Sequence, residues 1–164
     1  MKRLFPLLLI FLIFTVSCGT KYDILSYQEK SIRANCKINN KYEAVITKDE
    51  EHSSLKIISP KELFGTSFHL YKNEAYIEKD ELKIPVNKDI LKGISALVSC
   101  FSLNEATLTT VENQNKSSIV TFNSSNATYI VTYGQNKLPC HFEITGDTFS
   151  YSIEVSSIEL FTSH

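Results

Sequence analysis

The chain has 164 residues, and its 17 Lys and Arg almost balance 18 Asp and Glu, which gives a net charge of −1 at pH 7. This length fits a single domain with a sizeable core. The basic residues form no long run, so we do not expect nucleic acid as a partner. With 5 Gly and 4 Pro, the composition is neither collagen-like nor that of a low-complexity linker.

The N-terminus has the pattern of an export signal. Lys2 and Arg3 form a short basic start, and residues 4–16 are almost all Leu, Ile and Phe. A membrane-spanning helix needs about 20 apolar residues, so this run is too short to stay in the bilayer. We expect residues 1–17 to be cleaved as a signal peptide, which leaves a net charge of about −3 because Lys2 and Arg3 leave with it.

The residues that close the apolar run, Val16, Ser17, Cys18 and Gly19, resemble the lipobox of bacterial lipoproteins. In that family the chain is cut before the Cys, whose sulfur carries acyl chains. The resemblance implies lipid attachment at Cys18 and a location on the extracytoplasmic side of a bacterial cell membrane. A tether would span residues 18–23, and a single β-rich domain would span residues 24–164. The alternative is ordinary cleavage nearby, with Cys18 removed or left as a plain thiol.

The first half of the mature chain predicts short strands. Residues 31–38, SIRANCKI, alternate apolar and polar side chains, as a half-buried strand does. Residues 42–48 follow a turn at Asn39-Asn40 and complete a hairpin. Further strands are predicted over 55–59, 67–71, 75–78 and 82–86, and Pro85 puts the last of these at a sheet edge.

Residues 87–102 change to a helical period. An apolar stripe consists of Ile90, Leu91, Ile94, Leu97, Val98 and Phe101. Asn87 is the predicted N-cap, and Asp89 suits the positive end of the helix dipole. The polar side is too weakly basic for a membrane-surface helix. We therefore expect this helix to pack on the sheet.

The rest of the chain predicts strands again, over residues 106–111, 118–122, 128–133, 140–144 and 149–155, with a last edge strand at 157–161. The sum is a mainly antiparallel β fold of α+β type, with roughly ten strands and one inserted helix. A sheet this large must curl or split. We expect a strongly curved open half-barrel with the helix on its concave face.

This order of elements resembles the lipoprotein carriers and receptors of the bacterial envelope (LolA/LolB-like) and the mycobacterial lipoglycan carriers (LppX/LprG-like). The segments ISPKELFG after the third strand and YGQNKLPCHFEI near the end contribute to the resemblance. Members have an open half-barrel whose concave face is lidded by helices over an apolar cavity for acyl chains. The resemblance implies that this chain binds a lipid or another apolar ligand.

In this chain such a ligand would lie between the helix and the sheet. The candidate lining residues are Phe68, Leu70, Ile94, Leu97, Phe101, Phe122 and Phe142. The alternative for each is simple packing in the core. The alternative for the whole chain is a non-enzymatic envelope scaffold that binds another protein through its sheet edges or loops.

The residues that usually carry catalysis or bind metals form no recognisable motif. Cys36, Cys100 and Cys140 are an odd set, so either one disulfide forms or all three are buried thiols, which we favour. His52 is predicted in a loop and His69 on a solvent-facing strand position, and no two of the four histidines have a metal-ligand spacing. No nucleophile, zinc-protease, phosphate or dinucleotide motif occurs. We expect no enzyme activity, cofactor or metal.

Overall fold

The computed structural model describes residues 23–72, 74–87, 91–114 and 116–161, which form one open antiparallel sheet with a short helix. The first six strands are β1 (Ser31–Ile38), β2 (Tyr42–Lys48), β3 (His52–Ser59), β4 (Ser67–Tyr71), β5 (Ala75–Lys79) and β6 (Leu82–Pro85). The remaining five are β7 (Thr107–Gln114), β8 (Ser117–Asn123), β9 (Thr128–Tyr133), β10 (Pro139–Thr145) and β11 (Ser150–Phe161). Cys18, Asp89, Ile90 and His164 lie outside the described residues.

The helical elements are few and short. Helix α1 spans Lys92–Val98 and continues as a 3-10 turn over Ser99–Phe101. Two further 3-10 helices cover Asp23–Glu29, before β1, and Lys61–Leu63, between β3 and β4.

The sheet consists of two meanders joined in its middle. Its strand order is β6-β5-β4-β3-β2-β1-β11-β10-β9-β8-β7, and the first and last strands of the chain pair with each other. Antiparallel pairing runs from Ser31 opposite Phe161 to Ile38 opposite Ile153, with one bulge at Asn35 and Cys36. The prediction of a mainly antiparallel, open sheet is therefore confirmed, with 11 strands.

The connection between the two meanders explains the position of the helix. Strand β6 forms one edge of the sheet and β7 forms the other, so residues 86–106 must cross from edge to edge. The crossing puts α1 on one face, where it contacts β3 and β4. Its side chains Ala96, Leu97 and Val98 are buried there. We call this side the helix-bearing face and the other side the outer face.

Strict alternation in the strands gives the helix-bearing face its apolar core. In β1, alternate residues from Ile32 to Ile38 are buried and those between them are exposed. Directly paired residues continue the core across the sheet, as with Val131, Phe142 and Ile153, each fully buried. The core therefore follows the period-two pattern on which the strand predictions rested.

The predicted helix was too long. It was expected over residues 87–102 with Asn87 as its N-cap, but it begins at Lys92, and Leu91 occupies the N-cap position without a side-chain hydrogen bond. Its last turn, Ser99–Phe101, is a 3-10 turn. Three serines and Gly93 give this segment a weak helix propensity. A Cβ at Gly93 would lie 2.9 Å from Tyr151 Oη, so glycine there allows the helix to pack closely on the sheet.

Three strand predictions also need correction. His52 is the first residue of β3 rather than part of a loop, and β7 continues to Gln114, three residues beyond the strand predicted over 106–111. Residues 157–161 are not a separate strand, because they continue the 12-residue strand β11, which lies between β1 and β10, and they pair with β1. Pro85 does lie on an edge strand, as predicted.

Candidate functional site

All seven residues proposed to line a ligand site belong to one apolar cluster on the helix-bearing face. Four of them are core residues with at most 6% of their surface exposed, and these are Leu97, Phe101, Phe122 and Phe142. The rings of Phe101 and Phe142 meet edge to face at 5.0 Å. The other three, Phe68, Leu70 and Ile94, are partly buried against this core. The structure thus divides the set into four core residues and three partly buried residues.

One of these three residues, Phe68, belongs to a row of apolar residues that becomes more exposed towards the β6 edge. Leu55, Phe68, Ile77 and Ile84 are paired directly across β3, β4, β5 and β6, so they share the helix-bearing face. Leu55 is 2% exposed, Phe68 and Ile77 are half-buried, and Ile84 is 48% exposed. Leu82, two residues before Ile84 on the same face, is 62% exposed. We call Phe68, Ile77, Leu82 and Ile84 the apolar strip.

The sequence contained a signal for the apolar strip that the prediction did not use. Leu82 and Ile84 alternate with polar residues in β6, as core residues of a strand do. Only the strand order shows that they lie at the end of the sheet beyond α1. A sequence pattern predicts which face a side chain occupies but not whether another element covers it.

A polar groove of about 950 Å³ lies next to this face. It is bounded by the serine-bearing side of α1, the turn between β2 and β3, and the end of β4. Leu70 lines the groove and also packs against the core, so the polar and apolar surfaces meet there. Ser95 Oγ, also in the groove lining, is buried without a hydrogen-bond partner among the described residues. The two surfaces together could accept a molecule with one apolar and one polar end.

One lysine of the groove is held by the backbone. Lys48 is 9% exposed, and its Nζ donates to the carbonyl oxygens of Gln28 and, at 3.2 Å, Lys30. Burial lowers the pKa of Lys48, while Asp49 acts in the opposite direction. Lys48 therefore ties the end of the N-terminal 3-10 helix to β2.

The interior beneath the helix is uncharged at neutral pH. Tyr27 reaches into it from the N-terminal 3-10 helix, and its Oη lies 3.2 Å from Tyr133 Oη. Burial raises the pKa of both tyrosines. Burial also raises the pKa of Cys36 to about 12 and that of Cys100 well above its usual value. These groups stay protonated, which suits an apolar interior and leaves both thiols unreactive.

The cysteine prediction is partly wrong. Cys36, Cys100 and Cys140 are all free thiols, and the first two are buried as expected. Cys140 is exposed, and its Sγ donates to the Thr132 carbonyl at 3.3 Å. A bulge between Pro139 and His141 breaks the alternation of β10 at this point and turns Cys140 out of the core.

His52 and His69, which the sequence analysis did not pair, contact each other on the outer face. His52 Nε2 and His69 Nδ1 lie 3.0 Å apart across β3 and β4. The side chain of His69 is on the outer face as predicted, but it is only 17% exposed because neighbouring rings cover it. Pairing between distant strands determines this contact, so residue spacing could not predict it.

Comparison with known proteins gives a set of remote structural neighbours. No protein-family model matches the chain, and no curated protein matches its sequence. A domain described as an outer membrane lipoprotein-sorting protein from Vibrio parahaemolyticus is 10% identical, with a TM-score of 0.49 over 84% of this chain and 87% of that one. The LolA superfamily protein NE2245 from Nitrosomonas europaea is 8% identical, with a TM-score of 0.46 over 90% and 96%.

A third neighbour is LprF from Mycobacterium bovis, which is 11% identical, with a TM-score of 0.35 over 83% of this chain and 91% of that one. At such identities and TM-scores, none of them carries a conclusion about the ligand or activity of this chain. Among the described residues, no helix has the length and apolar character needed to cross a bilayer.

Proposed function

We propose that this chain is a lipid-anchored bacterial envelope lipoprotein that binds a lipid or another apolar ligand on its helix-bearing face, without enzymatic activity. Residues 1–17 would be removed and Cys18 acylated on the extracytoplasmic side of the membrane. The leader pattern in the sequence supports this anchor. Residues 19–23 then reach at most about 3.5 Å each, so the domain stays close to the bilayer. The ligand-binding surface would therefore lie near a source of lipid.

The observation that carries the binding proposal is the exposure gradient along the apolar strip. An apolar row that is 2% exposed at Leu55 and 48% exposed at Ile84 continues the core into solvent. Covering such surface stabilises a complex by about 25 cal/mol for each Å² removed from water. An acyl chain along Phe68, Ile77 and Ile84 would gain this energy, and its polar end could reach the groove at Leu70. Residues beneath the helix would form the wall of the site rather than its opening.

The test is displacement of a fluorescent fatty acid from the full-length protein. Ile84→Asp should weaken binding at least tenfold, because an acyl chain would have to desolvate the new carboxylate. Ile130→Asp is a matched control, since Ile130 is 37% exposed on β9 between the buried Tyr129 and Val131 and therefore lies on the outer face. Equal binding by the two variants would contradict the proposal, as would the absence of binding by the unmodified protein.

One observation favours the scaffold alternative. Strand β7 has eight residues, Thr107–Gln114, and forms an edge of the sheet, whereas the other edge strand, β6, has four residues and includes Pro85. Short strands and proline protect an edge from pairing, and β7 has neither. A partner strand added to β7 would slow hydrogen exchange of its amides in membrane extracts. Unchanged exchange there would argue against a partner at this edge.

A further inference from the structure

Of the strand residues that the structure describes on the helix-bearing face of β4, β5 and β6, only Lys79 is charged. The others are apolar, namely Phe68, Leu70, Ala75, Ile77, Leu82 and Ile84. Lys79 is paired directly with Leu82 and comes two residues after Ile77, so it lies at one end of the apolar strip. An exposed ammonium group thus borders a surface that is otherwise apolar.

The ammonium group of Lys79 is held in place but keeps the capacity to bind an acceptor. Its Nζ donates a hydrogen bond to the Glu62 carbonyl at 3.1 Å, which positions it beside the turn between β3 and β4. An ammonium group has three N–H donors, so two remain for other acceptors. None of the carboxylates in the described part of the chain forms an ion pair with Lys79. Its positive charge is therefore free to attract an anion.

A buried hydroxyl group belongs to the same end of the strip. Thr66 is 8% exposed, and its Oγ1 has no hydrogen-bond partner among the described residues. Thr66 comes two residues before Phe68, which is paired with Ile77, so Thr66 and Lys79 lie on neighbouring strands at the same end of this face. The Thr66 amide also donates to the Leu63 carbonyl at 3.0 Å, in the turn that holds Lys79. A buried donor without an acceptor is destabilising, so this hydroxyl gains from an acceptor brought to it.

We propose that Lys79 and Thr66 bind the carboxylate of a single-chain fatty acid whose hydrocarbon chain lies on the apolar strip. The inference rests on the proposed function and specifies the class of lipid and its orientation. Lys79 Nζ donates a charge-assisted hydrogen bond to the carboxylate. Rotation of Thr66 about χ1 directs its Oγ1 to the same group. The chain then passes over Ile77 towards Leu70, so that a second polar group on the ligand would lie in the polar groove.

The two donors fit a carboxylate better than they fit a phosphate. One ammonium group balances the single negative charge of a carboxylate, and Thr66 adds a neutral donor for its second oxygen. A phosphate has more charge and more acceptor oxygens, for which arginine is the best-matched side chain. In the described part of the chain the only arginine is Arg33, which is exposed on the outer face of β1.

The experiment compares two ligands that differ only in the polar end, decanoate and decan-1-ol. Calorimetric titration of the full-length protein at neutral pH measures both affinities. Without a carboxylate site, the alcohol would bind at least as tightly as the acid, because a hydroxyl group costs less to desolvate than a carboxylate. With the site, decanoate should bind roughly tenfold more tightly than decan-1-ol, through the hydrogen bond to a charged group.

Two variants remove the two donors separately. Lys79→Met keeps an apolar stem without the charge, so decanoate should lose its advantage while the affinity for decan-1-ol stays unchanged. Thr66→Val has the same shape without the hydroxyl group, and it should weaken decanoate several-fold and decan-1-ol not at all. Because Thr66→Val removes an unpartnered buried hydroxyl group, it remains informative should Lys79→Met fail to fold.

Lys83→Met is the matched control. Lys83 lies on the outer face of β6, with its Nζ 3.8 Å from Glu78 Oε2 and 5.1 Å from the centre of the Tyr76 ring. Loss of this charge should leave both affinities unchanged, and thermal unfolding checks that each variant is folded. Equal binding of acid and alcohol by the unmodified protein, an unchanged preference in Lys79→Met and Thr66→Val, or an equal loss in Lys83→Met would overturn the inference. Failure of both ligands to bind would contradict the proposed function, on which the inference rests.

Discussion

Two regions of the sheet follow the same alternating pattern but differ in what covers them. In the covered region, β8–β10, Phe122, Val131 and Phe142 are at most 1% exposed. In the uncovered region, β5 and β6, apolar residues at equivalent positions are half-buried at Ile77 and 48% exposed at Ile84. Helix α1 packs on β3 and β4, and Ala96 and the 3-10 turn residue Phe101 also contact Tyr129 and Phe142 of the first region, whereas β6 lies at the far edge of the sheet. Alternation thus places apolar side chains on one face of the sheet, and the position of the crossing helix determines which of these side chains are buried.

The largest difference that this comparison predicts is in thiol reactivity. Cys100 is fully buried beneath the covered region, and burial raises the pKa of Cys36 to about 12, whereas Cys140 is exposed. Native protein with an acylated Cys18 should react with a thiol reagent at Cys140 alone, and denatured protein at all three remaining cysteines. Mass spectrometry of the labelled peptides checks this. Rapid labelling of Cys36 or Cys100 in native protein would contradict the buried core.

Truncation of a ring in the covered region should have the next largest effect. Phe142→Ala leaves a cavity against Phe101, so we expect the free energy of unfolding to fall by about 3–5 kcal/mol. Ile84→Ala, in the apolar strip, should cost less than about 1 kcal/mol, because half of that side chain already contacts solvent. Urea unfolding measures both values. Similar losses in the two variants would show that the two regions are equally packed.

The buried Tyr129 of the covered region should also make the free energy of unfolding fall at alkaline pH. Burial raises the pKa of Tyr129 from 10.0 to about 12. Because the unfolded chain loses this proton first, the stability associated with Tyr129 is fully present below pH 10 and is lost as pH rises to about 12. The slope is about 1.4 kcal/mol per pH unit.

Tyr129→Phe provides the check. At pH 7 it should cost about 1 kcal/mol, through loss of the hydrogen bond that Tyr129 Oη donates to the Ala96 carbonyl at 3.3 Å. Between pH 10 and 12 the variant should lose less stability than the unmodified protein. An unchanged alkaline slope would show that Tyr129 ionises as readily in the folded protein as in the unfolded chain.

The smallest effect is expected for charge on the apolar strip. Ile84→Asp should change the free energy of unfolding by less than about 1 kcal/mol, because Ile84 is exposed at the sheet edge. Thermal unfolding, compared with Ile130→Asp on the outer face, measures this. A cooperative loss of structure in Ile84→Asp would mean that Ile84 belongs to the core, and its effect on fatty-acid binding could no longer be assigned to a binding surface.

Local patterns in the sequence predicted most of the fold. The alternation of SIRANCKI gave β1 its bounds and its buried residues, and the turn at Asn39-Asn40 led correctly into β2. The helix was placed correctly between the two groups of strands, but its N-terminus was not, because the apolar stripe continues N-terminally of Lys92, where the helix begins. The bounds of elements depend on capping and packing, which an apolar pattern does not contain.

The candidate sites were harder to predict because they depend on strand order and register. Phe101 and Phe142 were both among the predicted lining residues, but the exposure of Ile84 follows from the position of β6 at the sheet edge. His52 and His69 meet only because β3 and β4 pair in one particular register. A shift of one residue would point one of the imidazoles to the other face. Such contacts between strands have no signature in residue spacing.

The central claim is that a lipid-anchored domain holds an apolar ligand on the uncovered part of its sheet. Native mass spectrometry of the protein released from bacterial membranes tests it most directly. The account predicts a chain that begins at an acylated Cys18 and carries a non-covalently bound lipid, and the bound lipid should be absent from Ile84→Asp and present on Ile130→Asp. A chain without acyl groups at Cys18, or one that carries no lipid in any variant, would contradict the account.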